Sequence, residues 1–128
     1  MTLDLSTIGS QLAKNGCLFM SELFASKKLD KLFPQYVQCV SLGLLTEDCY
    51  VIDHEKLASH LGMQFVCSSK YPSSDPSCIN IACFETERGG THFCVVSPEG
   101  HILYDNLSGL HSPLRDVLSY RIFKLEEV

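Results

Sequence analysis

The sequence predicts an α+β domain in which N-terminal helices pack on a C-terminal antiparallel sheet. Apolar residues recur at helical spacing before residue 62 and form short, strand-like runs after residue 63. A segment rich in serine and proline, 68–77, separates the two halves and predicts a loop. The chain has 128 residues, 45% hydrophobic and 20% charged, which predicts a single globular domain spanning 1–128.

The first half contains three predicted helices. The first has Asn15 as its N-cap, Cys17 in its first turn, and runs to about Lys28. Phe19 and Leu23 lie four residues apart and predict its buried face.

A second helix is predicted to begin near Pro34, with Val37, Val40 and Leu44 on one face. The third helix is predicted to begin after Asp53, whose side chain suits an N-cap. Gly62 is typical of the position just after a helix and predicts its end.

The second half contains five predicted strands. They are 64–67, 78–84, 91–96, 101–105 and 121–125. Pro98 and Gly100 fit a type I turn between the third and fourth strands. These two strands are therefore expected to form a hairpin.

Composition and charge exclude several functional classes. The net charge is −5 and no cluster of Lys or Arg occurs, so a nucleic-acid partner is not expected. No apolar run approaches the roughly 20 residues that span a bilayer, so membrane insertion is not expected. No signal peptide is recognisable at the start, and the seven cysteines have irregular spacing. A cytoplasmic location with free thiols is therefore expected.

The predicted hairpin places a histidine beside a carboxylate. With Pro98 and Glu99 as its loop, counting outward along both strands puts His92 opposite Asp105. A slip of one residue would instead pair His92 with Tyr104 or Asn106. Asp105 or Asn106 is therefore expected to orient the His92 ring.

Cys17 is a candidate nucleophile. A thiol in the first turn of a helix lies near unpaired N–H groups, which are expected to lower its pKa. Cys17, His92 and Asp105 are the ingredients of a cysteine nucleophile with its base and orienting acid. Gln11, six residues before Cys17, is a candidate donor to an oxyanion.

The other histidines and cysteines give no predicted metal site. There is no Cys-x-x-Cys or His-Glu-x-x-His pattern. His111 lies in a loop of small and turn-forming residues and is expected to be solvated.

These features resemble the papain-like cysteine peptidases, and most closely the leader-peptidase domains of bacteriocin-exporting ABC transporters and free-standing relatives. The resemblance is carried by Gln11, Gly16-Cys17, residues 90–96 and residues 103–106. Those exporter domains usually have Asp-Cys-Gly, whereas this chain has Gly16-Cys17-Leu18. The region 30–62 has no recognisable counterpart, and no transporter segments follow.

The resemblance implies a papain-like fold and a thiol hydrolase that acts on a peptide or amide bond. It implies Cys17 as nucleophile, His92 as base, Asp105 as orienter and Gln11 as oxyanion donor, with no cofactor. The expected partner is a peptide or protein substrate. The alternative is a catalytically inactive peptidase-like domain that binds a peptide or a partner protein. A redox sensor is disfavoured because no second cysteine lies near Cys17 in sequence.

Overall fold

A computed structural model describes residues 9–12 and 15–126 of the chain. It combines helices with a five-stranded antiparallel sheet, which confirms the predicted mixture of helix and sheet. None of the described helices has both the length and the apolar character needed to cross a membrane.

The helices precede the sheet in the chain. They are α1 (Cys17–Ala25), a 3₁₀ turn (Leu29–Lys31), α2 (Leu32–Ser41) and α3 (His54–His60). Residues 9–12 are also helical. The prediction for α3 is confirmed, because the Asp53 side chain accepts a hydrogen bond of 3.0 Å from the Lys56 backbone N–H.

All five strands predicted from the sequence are present. They are β1 (Met63–Ser69), β2 (Cys78–Thr86), β3 (Thr91–Val96), β4 (Ile102–Tyr104) and β5 (Leu114–Leu125). Their order in the sheet is β1-β5-β2-β3-β4. The start of β5 was predicted seven residues too late, because residues 114–120 pair with β2 through an irregular register.

The helices cover one face of the sheet. Buried side chains of all three α-helices join Met63, Ile81, Val95 and Phe123 in the main core. The alternate residues of β2 and β3 point to the other face, where a smaller cluster contains Ala82, Cys94, Val96 and their neighbours. We call these two surfaces the helix face and the second face.

The predicted start and end of α1 are wrong. Gly16, not Asn15, is the N-cap, and it makes no side-chain cap. A Cβ atom added to Gly16 would lie 2.5 Å from the carbonyl oxygen of Leu12, so only glycine fits where the two helical segments meet. The helix ends at Ala25 because Lys27 adopts a left-handed φ of 63°.

The buried face of α2 also differs from the prediction. Val37 is 50% exposed, whereas Tyr36 and Cys39 are fully buried. The helix begins two residues before Pro34, directly after the 3₁₀ turn. The helix is therefore rotated relative to the prediction, and Val37 faces solvent.

Glu22 on α1 is a fully buried acid. Neither carboxylate oxygen has a hydrogen-bond partner among the described residues. Burial raises the pKa of Glu22 to about 8, although the charge of Arg121 opposes the rise. Glu22 therefore keeps its proton in the folded state at pH values at which the unfolded chain has lost it.

This difference predicts a loss of stability toward alkaline pH. Because the folded pKa is raised from 4.5 to about 8, the free energy of unfolding should fall by a few kcal/mol across that interval. The variant Glu22→Gln should remove most of this slope, as measured by urea unfolding at several pH values. Glu99→Gln, in the exposed β3–β4 turn, is the control and should keep the slope. Parallel pH profiles for Glu22→Gln and the unmodified protein would contradict the account.

Candidate functional site

A histidine and a carboxylate meet at the open end of the β3–β4 hairpin. His92 is the second residue of β3, and Asp105 directly follows β4. The His92 Nε2 atom lies 2.9 Å from Asp105 Oδ1. The side chains are only 6% and 9% exposed, so water screens this interaction weakly.

The contact forms despite a wrong register prediction. The hairpin closes with the Ser97 N–H donating to the His101 carbonyl, and Gly100 has a φ of 91°, which lengthens the loop to three residues. A further irregularity between Val95 and Val96 shifts the pairing again. Asp105 therefore does not lie opposite His92 in the ladder, and its carboxylate reaches the ring from the turn after β4.

The Asp105 carboxylate accepts hydrogen bonds on both oxygens. The Leu107 N–H donates to Oδ1 at 2.9 Å, and the Gly109 N–H donates to Oδ2 at 3.1 Å. Although burial alone would raise the pKa of Asp105, the hydrogen bonds from Leu107, His92 and His111 lower it to about 2. Asp105 both forms the turn and provides a fixed negative charge for His92.

His111 is a third member of the cluster that sequence reasoning missed. Its Nε2 atom lies 2.7 Å from Asp105 Oδ2, and its ring centroid lies 4.5 Å from that of His92. The side chain is 12% exposed, so the expectation of a solvated residue is wrong. His111 lies six positions after Asp105 in a segment with no helical or strand period, so the spacing gives no signal for the contact.

Asn106 does not take the orienting position. Its Nδ2 group contacts the Met20 sulfur of α1 at 3.8 Å, and its buried Oδ1 has no partner among the described residues. Of the two candidates for a partner of His92, the structure brings Asp105 to the ring.

Cys17 lies in the first turn of α1, beside β3. A cavity of about 180 Å³ next to it is lined by helix-face residues, including Thr91 and Phe93. Because side chains alternate along a strand, His92 leaves β3 on the second face. Within the described part of the chain, no hydrogen bond joins the Cys17 sulfur to His92. The connection between Cys17 and His92 is indirect. Phe93, the residue after His92 in β3, directs its backbone N–H at the Cys17 thiol.

The prediction that the helix lowers the pKa of Cys17 is wrong in sign. Burial raises the pKa of the thiol and outweighs the backbone N–H groups of Phe93, Leu18 and Cys17, which lower it. Cys17 is therefore a thiol, not a thiolate, at neutral pH in this structure. A base must remove its proton before it can react.

Gln11 belongs to a chain of polar side chains. Its Oε1 accepts a hydrogen bond of 3.1 Å from Asn15 Nδ2, and Asn15 Oδ1 accepts one of 3.3 Å from the Tyr50 hydroxyl. With its oxygen engaged, the Gln11 amide has its NH₂ group left to donate. Asn15 and Tyr50 also line the cavity beside Cys17, and sequence reasoning identified neither as a site residue.

Comparison with protein-family models, with curated proteins and with solved structures found no match for this chain.

The contact between His111 and Asp105 predicts how the pKa of His111 changes when the carboxylate is removed. The Ser112 carbonyl and the Asp105 carboxylate raise the pKa of His111 above 6.5. The variant Asp105→Asn removes the negative charge, so the pKa of His111 should fall, as measured by NMR titration of the ring protons. Asp30→Asn, at an exposed position in the 3₁₀ turn, is the matched control. An unchanged titration in Asp105→Asn would show that the carboxylate does not act on His111.

Proposed function

We propose that this protein is a papain-like thiol hydrolase that cleaves a peptide or amide bond and uses no cofactor. The observation that carries the proposal is the 2.9 Å contact between His92 and Asp105. The residue after His92 in the chain is Phe93, whose backbone N–H is directed at the Cys17 sulfur. A histidine held by a carboxylate is the usual base for an uncharged nucleophile. All seven cysteines are free thiols, in keeping with a protein that acts in the cytoplasm.

In this proposal His92 activates Cys17. The His92 Nε2–H group donates a hydrogen bond to Asp105 Oδ1, which leaves the other ring nitrogen as the base. That nitrogen takes the Cys17 proton as the sulfur attacks the carbonyl carbon. The same proton then passes to the leaving amine, and water hydrolyses the thioester to release the acid.

Two donors are proposed for the oxyanion. The Cys17 backbone N–H lies in the first turn of α1, where N–H groups lack partners within the helix. The second is the NH₂ group of Gln11, whose side-chain oxygen accepts a hydrogen bond from Asn15. Such donors stabilise the negative charge that develops on the carbonyl oxygen.

The cavity beside Cys17 limits the substrate. At about 180 Å³ it is smaller than the roughly 300–1,000 Å³ typical of pockets for whole ligands. Leu18, Val51 and Phe93 supply apolar surface, and Thr91 and Tyr50 supply polar atoms. It suits one small or medium-sized side chain of an extended peptide, with the rest of the substrate outside.

The decisive experiment uses peptides with a thiol-reactive vinyl sulfone group and varied side chains. The probe should modify Cys17 faster than the exposed Cys67, as located by mass spectrometry of digested protein. His92→Gln should slow modification of Cys17 by about 10²–10⁴-fold, because a general base contributes a factor of this size. Hydrolysis of the matching peptide should be lost in Cys17→Ser.

The controls separate the site from general thiol chemistry. Cys67→Ser should keep both labelling and hydrolysis. His101→Gln changes an exposed histidine outside the cluster and should behave like the unmodified protein. Equal labelling of Cys17 with and without His92, or hydrolysis that survives Cys17→Ser, would overturn the proposal.

Gln11 allows a separate prediction. Gln11→Ala should lower the rate of hydrolysis by about 10²–10³-fold, with a smaller effect on KM, because an oxyanion donor acts mainly in the transition state. Tyr50→Phe removes only the hydroxyl bonded to Asn15 and should have a smaller effect. A rate unchanged in Gln11→Ala would remove Gln11 from the mechanism.

A second candidate is a peptidase-like domain that binds a peptide without cleaving it. Two observations favour it: burial raises the pKa of Cys17, and no hydrogen bond joins its sulfur to His92 among the described residues. In that case the same peptides would bind, as measured by fluorescence polarisation, but Cys17 would not be labelled and no product would form.

A further inference from the structure

Three metal-binding side chains converge on the second face. His92 comes from β3, and Asp105 and His111 come from the segment between β4 and β5. The ligand atoms that they offer all lie within 4.8 Å of one another. Two imidazole nitrogens and one carboxylate form a common set of protein ligands for zinc-class cations.

The hydrogen bonds of His111 leave a place for a cation. Its Nδ1 lies 2.8 Å from the Ser112 carbonyl oxygen, which can only accept, so Nδ1 carries a proton. In the neutral ring Nε2 then carries no proton. Its lone pair faces Asp105 Oδ2, which is also an acceptor, at a distance of 2.7 Å. Two acceptors at this distance need a cation between them, either a proton or a metal ion.

The surroundings also hold the ligands in place. A backbone carbonyl on the far nitrogen of a histidine fixes the tautomer that metal ligands require. The Leu107 and Gly109 N–H groups hold the Asp105 carboxylate. Two ligands bound to zinc at about 2.1 Å in tetrahedral geometry lie about 3.4 Å apart. The present 2.9 Å and 2.7 Å separations thus require only small outward movements.

We propose that His92, Asp105 and His111 bind one divalent transition-metal ion of the zinc class, with the remaining coordination position open. The ion replaces the protons that now lie between the two histidines and the carboxylate. Sequence reasoning predicted no metal site, because it did not associate His111 with the other two residues.

Metal binding has a consequence that rests on the proposed hydrolase function. A neutral imidazole with a metal on Nε2 keeps its proton on Nδ1, so it has no lone pair to accept the Cys17 proton. The ion would therefore inhibit the thiol chemistry by occupying its base. This makes the cluster a regulatory site for the same enzyme.

The test uses Co²⁺ as a spectroscopic probe and Zn²⁺ in calorimetry, with the full chain kept reduced. One Co²⁺ per chain should bind with visible d–d absorption and without the thiolate charge-transfer band that cysteine ligands produce. His111→Gln should weaken binding by at least about 100-fold. His101→Gln and Cys17→Ser should bind as tightly as the unmodified protein.

A second measurement covers the case in which His111→Gln fails to fold. In the unmodified protein, Zn²⁺ should shift the NMR signals of the His92 and His111 rings and leave those of His54, His60 and His101 in place. Thiolate charge-transfer absorption, unchanged binding in a folded His111→Gln, or unshifted His92 and His111 signals would each overturn the metal site.

The metal site and the hydrolase fail in different experiments. Cobalt binding without peptide labelling of Cys17 would support the metal site and contradict the enzyme. Labelling of Cys17 without cobalt binding would support the enzyme and contradict the metal site. If both are correct, Zn²⁺ should slow labelling of Cys17 in the unmodified protein, and a chelator should restore the original rate.

Discussion

The Asp105 carboxylate connects the parts of the site. Its two oxygens accept from two backbone N–H groups and contact two histidines, so one side chain ends β4, shapes the following turn and orients His92. A buried carboxylate is unfavourable without such partners, since desolvation alone would raise its pKa. The turn after β4 is therefore a precondition for the charge beside His92.

The helix face and the second face meet at the free edge of β3. β4 is short and its last paired residue, Tyr104, lies opposite Val95, so the first part of β3 has no strand partner on that side among residues 9–12 and 15–126. The Phe93 N–H is directed at the Cys17 sulfur, while the neighbouring His92 leaves the strand on the second face. Because β4 is short, the Cys17 thiol and the His92 imidazole both lie beside the first residues of β3.

Burial of Cys17 raises the pKa of its thiol, against the lowering expected from the N–H groups at the start of a helix. Cys17 gains stabilisation of its thiolate from backbone N–H groups, yet desolvation is the larger effect. The same competition acts on Glu22, five residues further along the helix, where the charge of Arg121 does not offset full burial. Two acidic groups of α1 are therefore held in their protonated forms by the packing of this helix against the sheet.

The sequence alone determined the order of helices and strands, because apolar period, the Asp53 cap and the turn residues act over a few neighbours. It also predicted that His92 and Asp105 meet, since a short hairpin limits how far apart they can lie, although the register was wrong. Tertiary structure decided the rest. The inclusion of His111, the raised pKa of Cys17 and the link from Tyr50 to Gln11 depend on packing between distant segments. Burial and long-range contacts leave no periodic signal in the chain, so these features follow only from the folded arrangement.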